Sequence, residues 1–160
     1  IPAQEIDEVN VSSTKIRKAL KQGDIETANA YLGLPYELNG IVVKGKAIGR
    51  ELNYPTANID LQSSIKLIPA NGVYIVELEL ENGNRQFGML SIGSNPTISE
   101  GNERTIEVHI LDFKDNLYGQ KLKVQFLSYI RAEEKFSSLE ELKNKIQEDE
   151  VIARDYLCSR

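Results

Sequence analysis

Val73-Tyr74-Ile75-Val76-Glu77-Leu78-Glu79-Leu80-Glu81-Asn82-Gly83-Asn84-Arg85-Gln86-Phe87-Gly88-Met89-Leu90-Ser91-Ile92 decides how the rest of the chain is read. Val76, Leu78 and Leu80 alternate with Glu77, Glu79 and Glu81, the two-residue period of a half-buried strand. Asn82-Gly83 is a hairpin turn signal, and 85–92 returns as the partner. Moving toward the C-terminus, 104–113 repeats the alternation, with Ile106, Val108 and Ile110 against Thr105, Glu107 and His109. Asp115-Asn116 turns the chain, and 121–127 returns with Leu122, Val124 and Phe126 on one side. On the N-terminal side, 38–43 reads as a strand, and Ile59 and Leu61 close an excursion after it. Five or six strands joined mainly by hairpins and loops predict a small antiparallel barrel, since closure leaves no exposed edge.

Helical spacing flanks this β grammar. Residues 1–10, polar with Glu5, Asp7 and Glu8, read as a lead-in, and structure is expected to begin at Ser12. Ser12, Ser13 and Thr14 offer caps for a helix that places Ile16 and Leu20 on one face, with Gly23 ending it. Asp24 caps a second short helix through Leu32, stopped by Gly33. The change of pattern at Leu34-Pro35 predicts two units, 1–34 and 35–160. At the far end Ser137 and Ser138 each precede a glutamate by three residues, a double capping-box option, and Leu139, Leu142 and Ile146 form an apolar stripe expected to pack on the barrel.

Composition narrows the class. The 160 residues are 41% hydrophobic and 27% charged, with a net charge of −5. That is an ordinary globular balance, and no apolar run approaches the roughly 20 residues of a membrane span. The chain starts Ile1-Pro2-Ala3 without methionine, which fits a piece of a longer or processed polypeptide, and no secretory leader is expected. The single cysteine, Cys158, excludes an intramolecular disulfide and a cysteine-based zinc site, and fits a reducing cytoplasm. Acidity argues against nonspecific nucleic-acid binding, and no membrane partner is expected.

Chemistry is expected in the stretch Gly45-Lys46-Ala47-Ile48-Gly49-Arg50-Glu51-Leu52-Asn53-Tyr54-Pro55-Thr56-Ala57-Asn58. Two glycines four apart allow close approach of an anion, and Lys46 and Arg50 supply positive charge. After Pro55, Thr56 and Asn58 are spaced to aim a hydroxyl and an amide oxygen the same way, a set that suits a hard cation such as Mg²⁺ carrying substrate phosphates. A glycine-containing loop closed by a Pro-Thr turn reads equally well, because neither a P-loop nor a dinucleotide signature is present. The polar segment Gly93-Ser94-Asn95-Pro96-Thr97, continued by Ser99-Glu100-Gly101-Asn102, has the character of a flap. His109, the only histidine, reads as a structural residue, with no serine in a nucleophile-elbow context. Glu107 is either a solvated strand residue or, if it meets the 45–58 loop at one barrel mouth, a base able to take a proton from an alcohol. The second case describes a small-molecule kinase.

The motifs Leu52-Asn53-Tyr54-Pro55-Thr56-Ala57-Asn58, Gly72-Val73-Tyr74, Ile92-Gly93-Ser94-Asn95-Pro96-Thr97, Arg104-Thr105-Ile106-Glu107-Val108-His109, Leu117-Tyr118-Gly119 and 131–136 follow one another in a familiar order. Over roughly 36–157 the chain resembles bacterial riboflavin kinase, the C-terminal half of the bifunctional riboflavin kinase/FAD synthetase. The resemblance implies a mainly β fold: a six-stranded antiparallel Greek-key barrel with a C-terminal helix, preceded here by the short helical pair. It implies transfer of the ATP γ-phosphoryl group to the ribityl 5′-hydroxyl of riboflavin, giving FMN and ADP in the cytoplasm. By position, Glu107 corresponds to the base and Thr56 and Asn58 to contacts with Mg²⁺ and phosphate. Gly45, Gly49 and Arg50 correspond to the nucleotide loop, with Ile110, Asp112 and Tyr118 also near the nucleotide. Arg131, Glu134 and Phe136 correspond to flavin contacts, with Asn95 assisting from the flap. Ala47 departs from a glycine found in many relatives.

Val11-Ser12-Ser13-Thr14-Lys15-Ile16-Arg17 looks like the phosphate-binding signature near the end of the FMN adenylyltransferase domain, making 1–34 its remnant. With the rest of that domain missing from the sequence, FAD synthesis is not expected and Ser12, Ser13 and Arg17 are expected to be vestigial. The adenylyltransferase domain would be a partner in the parent chain. A noncatalytic flavin- or nucleotide-binding module remains the alternative from another class. A barrel binding single-stranded nucleic acid would need a basic groove with exposed aromatics, against an aromatic content of 7%.

Overall fold

A computed structural model describes residues 3–44, 54–62, 66–94 and 104–160, with side chains from residue 12 onward. Two helices, α1 (Ala3–Gln22) and α2 (Ile25–Leu32), precede six strands. These are β1 (Tyr36–Val43), β2 (Ala57–Asp60), β3 (Gly72–Leu80), β4 (Arg85–Ser94), β5 (Arg104–Ile110) and β6 (Lys121–Arg131), and a C-terminal helix, α3 (Leu139–Cys158), follows. The strands close into a barrel in the order β1-β2-β5-β4-β3-β6, every described pair antiparallel. Strands β3, β4 and β5 follow one another and β6 returns beside β3, the spatial order of a Greek key.

The alternation places the barrel's interior as expected. Val76, Leu78, Leu80, Ile106, Val108, Ile110, Leu122, Val124 and Phe126 all lie in one buried cluster. The β3–β4 connection occupies residues 81–84, with Gly83 at φ 86°, its N–H bonded to the Leu80 carbonyl at 2.9 Å. β5 ends at Ile110, three residues earlier than the alternation suggested, because Asp112 turns the chain with a left-handed φ of 55°. Aspartate tolerates that conformation better than most side chains. β6 runs four residues past the expected Leu127, accommodating the extra length through irregularities opposite Val73 to Val76.

The lead-in differs from the sequence reading. The first helix begins at Ala3, so 3–10 are helical and the Ser12-Ser13-Thr14 run lies inside the helix rather than capping it. The spacing Ile6, Val9, Ser13, Ile16 and Leu20 alternates three and four; the serine interrupts its apolar character and hides the period. α2 matches its signals: the Asp24 carboxylate accepts from the Thr27 N–H at 3.2 Å, and Gly33 closes the helix at φ 78°. Ala19, Leu20, Ile25 and Ala28 of this pair belong to the same buried cluster as the barrel interior. Asn29 ties the pair to the barrel, donating to the Phe126 carbonyl and accepting from the Tyr36 N–H, both at 2.8 Å. Asp24→Ala is therefore expected to cost about 1 kcal/mol, the usual worth of an N-cap, read as a lower denaturant midpoint with unchanged slope.

α3 starts at the expected cap, where Ser138 Oγ accepts from the Glu141 N–H at 3.2 Å and Glu141 reaches back to Ser137. The helix packs on the outer barrel wall, where Ile146, Ala153, Tyr156 and Leu157 join Val73, Ile75, Met89 and Leu127 in a second apolar cluster. The expected Leu139-Leu142-Ile146 stripe needs correction. Leu139 is 51% exposed, and the buried line runs later, through Ile146, Asp149, Ala153 and Tyr156.

Candidate active site

Register alone assembles the central pair. Asn58 on β2 lies directly opposite Glu107 on β5, and Glu107 lies opposite Ser91 on β4. Ile59, Ile106, Val108, Leu90 and Ile92 point into the barrel, so Asn58, Glu107 and Ser91 share the outer face by alternation. The row continues from Ser91 to Val73 on β3 and from Val73 to Arg131 on β6. Four steps of about 4.8 Å between strands carry it roughly 19 Å along the curved wall. Asn58 and Glu107 thus pair on the outer face of the wall, and Asn58 borders a cavity that the interior-facing Val42, Val108 and Ile110 also line.

Beside Asn58 lies a cavity of about 490 Å³ bordered by Lys44, Thr56, Asn58, Ile110, Phe113 and Tyr118, among others. Tyr118 is half exposed. Its hydroxyl accepts from the Lys44 N–H at 3.1 Å, and the Lys44 ammonium stands 5.6 Å above its ring. Ile110 contributes only a margin, because its side chain belongs to the core. An adjoining cavity of about 380 Å³ shares Pro55, Ile110, Phe113 and Lys114 and adds Asp112 and Arg154. The Arg154 fork grips both Asp112 oxygens at 3.0 Å and holds that carboxyl below its ordinary pKa.

Thr56 precedes β2 and is held through its neighbours. The Pro55 carbonyl accepts from His109 Nδ1 at 2.8 Å, an arrangement that requires the proton on that nitrogen. The Tyr54 ring meets the His109 ring edge-on at 5.1 Å, and Ala57 enters the ladder opposite Val108. His109 therefore has the structural place the sequence suggested.

At the other end of the row the Arg131 guanidinium forms an ion pair with Asp149 of α3, its Nη2 2.8 Å from Oδ2. The pair is largely out of solvent, with side-chain exposures of 15% and 4%. Arg131 also lies 5.8 Å from the Phe136 ring centre, and Glu134 pairs with Lys145 at 3.7 Å. Asn71 donates to Ser94 Oγ and to Glu133 and accepts from Arg104 Nε. Arg104 also caps the carbonyls of Ile68 and Pro69. These contacts hold 68–71 and Glu133 beside the Arg131 end.

Gly45, Gly49, Arg50 and Asn95 lie outside the described residues, as do the others of 45–53 and of the flap after Ser94; Gly93 and Ser94, expected in the flap, belong to β4. Among the described residues no three His, Cys, Asp or Glu side chains cluster as metal ligands. Thr56 and Asn58 at one cavity fit Mg²⁺ bound through few protein oxygens and mostly through phosphate and water. Sequence reasoning missed Tyr54, Glu150, Arg154 and Asp149. Their only local signal is Glu150–Arg154 at helical i,i+4 spacing; the partners they reach are distant in sequence.

A closed barrel with a helix braced on its wall, and a cavity that Thr56, Asn58 and Tyr118 border together with the interior-facing Val42, Val108 and Ile110, has room and a mixed polar and apolar lining for a small polar molecule. The chain belongs to the riboflavin kinase family: the family model described as Flavokinase: Riboflavin kinase matches residues 32–157. It is 40% identical over 154 residues to the bifunctional riboflavin kinase/FMN adenylyltransferase of Haemophilus influenzae, covering 96% of this chain and 49% of that one. It is likewise 40% identical over 151 residues to the protein so named in Bacillus subtilis, covering 93% and 47%. The chain therefore spans about half the length of the curated relatives it matches. Its fold is similar to riboflavin kinase from Trypanosoma brucei, with a TM-score of 0.53, 27% identity and coverage of 77% and 80%. A Streptococcus pneumoniae structure named as a macrolide-efflux protein gives a TM-score of 0.82 at 38% identity, covering 89% of this chain and 46% of that one. Among the described residues no helix is long and apolar enough to cross a membrane.

Proposed function

We propose that the chain phosphorylates riboflavin at the ribityl 5′-hydroxyl, using ATP and producing FMN and ADP, as the kinase portion of a cytoplasmic parent protein that also carries an adenylyltransferase domain. The observation that carries the reading, beside family membership, is the direct pairing of Glu107 with Asn58, which itself borders the cavity together with Thr56 and Tyr118. Glu107 takes the hydroxyl proton as the ribityl oxygen forms its bond to the γ-phosphorus and the bond to the ADP oxygen breaks. Thr56 and Asn58 hold the metal–phosphate group, and Gly45, Gly49 and Arg50 complete the nucleotide loop. Ile110, Asp112 and Tyr118 border the nucleotide; Arg131, Glu134, Phe136 and Asn95 serve the flavin. Bound Mg²⁺ supplies charge neutralisation on the transferring phosphoryl group. By descent, 1–34 is the end of the adenylyltransferase domain and 35–160 the kinase.

Incubation with riboflavin and Mg-ATP, followed by chromatography, is expected to yield FMN. Riboflavin binding without FMN would favour the binding-module reading, and neither product nor binding would overturn the assignment. Thr56→Ala or Asn58→Ala is expected to weaken Mg-nucleotide binding about tenfold, the scale of one charge-assisted contact, with riboflavin binding little changed. The opposite ranking in calorimetry contradicts these roles.

A further inference from the structure

A chain of hydrogen bonds links α3 to the approach to Thr56. Tyr54 Oη donates to Glu150 Oε1 at 2.7 Å, and the other Glu150 oxygen accepts from Arg154 Nε at 2.8 Å. Arg154 in turn holds Asp112 through both terminal nitrogens. Tyr54, Pro55 and Ala57 are each fixed, by Glu150, by His109 and by the ladder with Val108. Thr56 is the residue between these anchors.

We propose that Tyr54 is a positioning residue for the nucleotide end of the site: its hydroxyl bond to Glu150 sets the backbone that presents Thr56, with Arg154 bracing Glu150 against the Asp112 turn. The proposal rests on the reading of Thr56 and Asn58 as Mg-nucleotide contacts. Its chemistry is that of a neutral donor on a charged acceptor, the stronger kind of hydrogen bond. Burial acts to raise Glu150, but the hydrogen bonds from Tyr54 and Arg154 outweigh it and leave the carboxyl below its ordinary pKa. The ring of Tyr54 packs in the outer apolar cluster independently of the hydroxyl, so the two contributions can be separated.

Tyr54→Phe keeps the ring and deletes the bond. The KM for Mg-ATP is expected to rise about three- to tenfold, the span of one net hydrogen bond, while the KM for riboflavin stays within twofold. Glu150→Ala is expected to reproduce this split and Glu150→Gln, which retains an acceptor, to restore most of it. Thr56→Ala serves as the reference. If Thr56→Ala raises the Mg-ATP KM and Tyr54→Phe does not, the positioning role falls and the Thr56 reading stands. If neither moves it, both fall. An equal rise for both substrates makes the contact a general brace and also overturns the proposal.

Discussion

Glu107→Gln is expected to lower kcat by about 10²–10⁴-fold, the span that a general base contributes. The substitution preserves the size of the side chain and its place between Asn58 and Ser91 but removes its capacity to accept a proton. The hydroxyl must then lose its proton to water as it attacks, and the barrier rises in the chemical step. Riboflavin and Mg-ATP binding are expected to survive within a few fold, since the proposed contacts to the phosphates and the flavin come from other residues. Single-turnover rates with both substrates saturating, alongside fluorescence titration of riboflavin, separate the two effects. An unchanged rate would remove Glu107 from the role of base.

Asp149→Ala is expected to destabilise the fold by about 3–5 kcal/mol, the usual cost of stripping one partner from a buried ion pair. Asp149 is buried on α3, and its two oxygens accept three hydrogen bonds from the Arg131 fork, at 2.9, 3.1 and 2.8 Å. Without the carboxylate the guanidinium remains against the helix with no counter-charge beside it. Replacing both residues, as Arg131→Met with Asp149→Leu, is expected to recover much of the loss, because the pair offsets its own desolvation more than it adds net stability. Urea denaturation of the two variants tests both statements. A loss below about 1 kcal/mol in Asp149→Ala would put the pair in the class of surface salt bridges. The double variant then tests whether Arg131 has the proposed part in riboflavin affinity apart from holding the helix.

The barrel was legible because a strand with one buried face has a local signature. Each expected inward set, Val76 with Leu78 and Leu80, Ile106 with Val108 and Ile110, and Leu122 with Val124 and Phe126, lies in the core. Asn58 and Glu107 were legible as candidates from residue type and from the resemblance, but their pairing follows only from strand order. The contacts that brace the site were not legible, since Tyr54 reaches Glu150 across 96 positions and Arg154 reaches Asp112 across 42. No periodicity encodes such separations. The start of α1 was missed for a different reason: Ser12, Ser13 and Thr14 are good caps and middling helix formers, so local preference suggested a beginning where the helix in fact continues.

The helical pair has a consequence for modularity. Leu20, Ile25 and Ala28 fill the same interior as the strands, and the Leu20 carbonyl accepts from the Ala70 N–H at 2.9 Å. A cut at Leu34-Pro35, where the sequence changes its pattern, would open the barrel's interior to water. A seam along which this chain can be cut without exposing that cluster therefore lies upstream of Ile16. Any transfer of this barrel to a new neighbour has to carry these helices with it, or supply replacements for them.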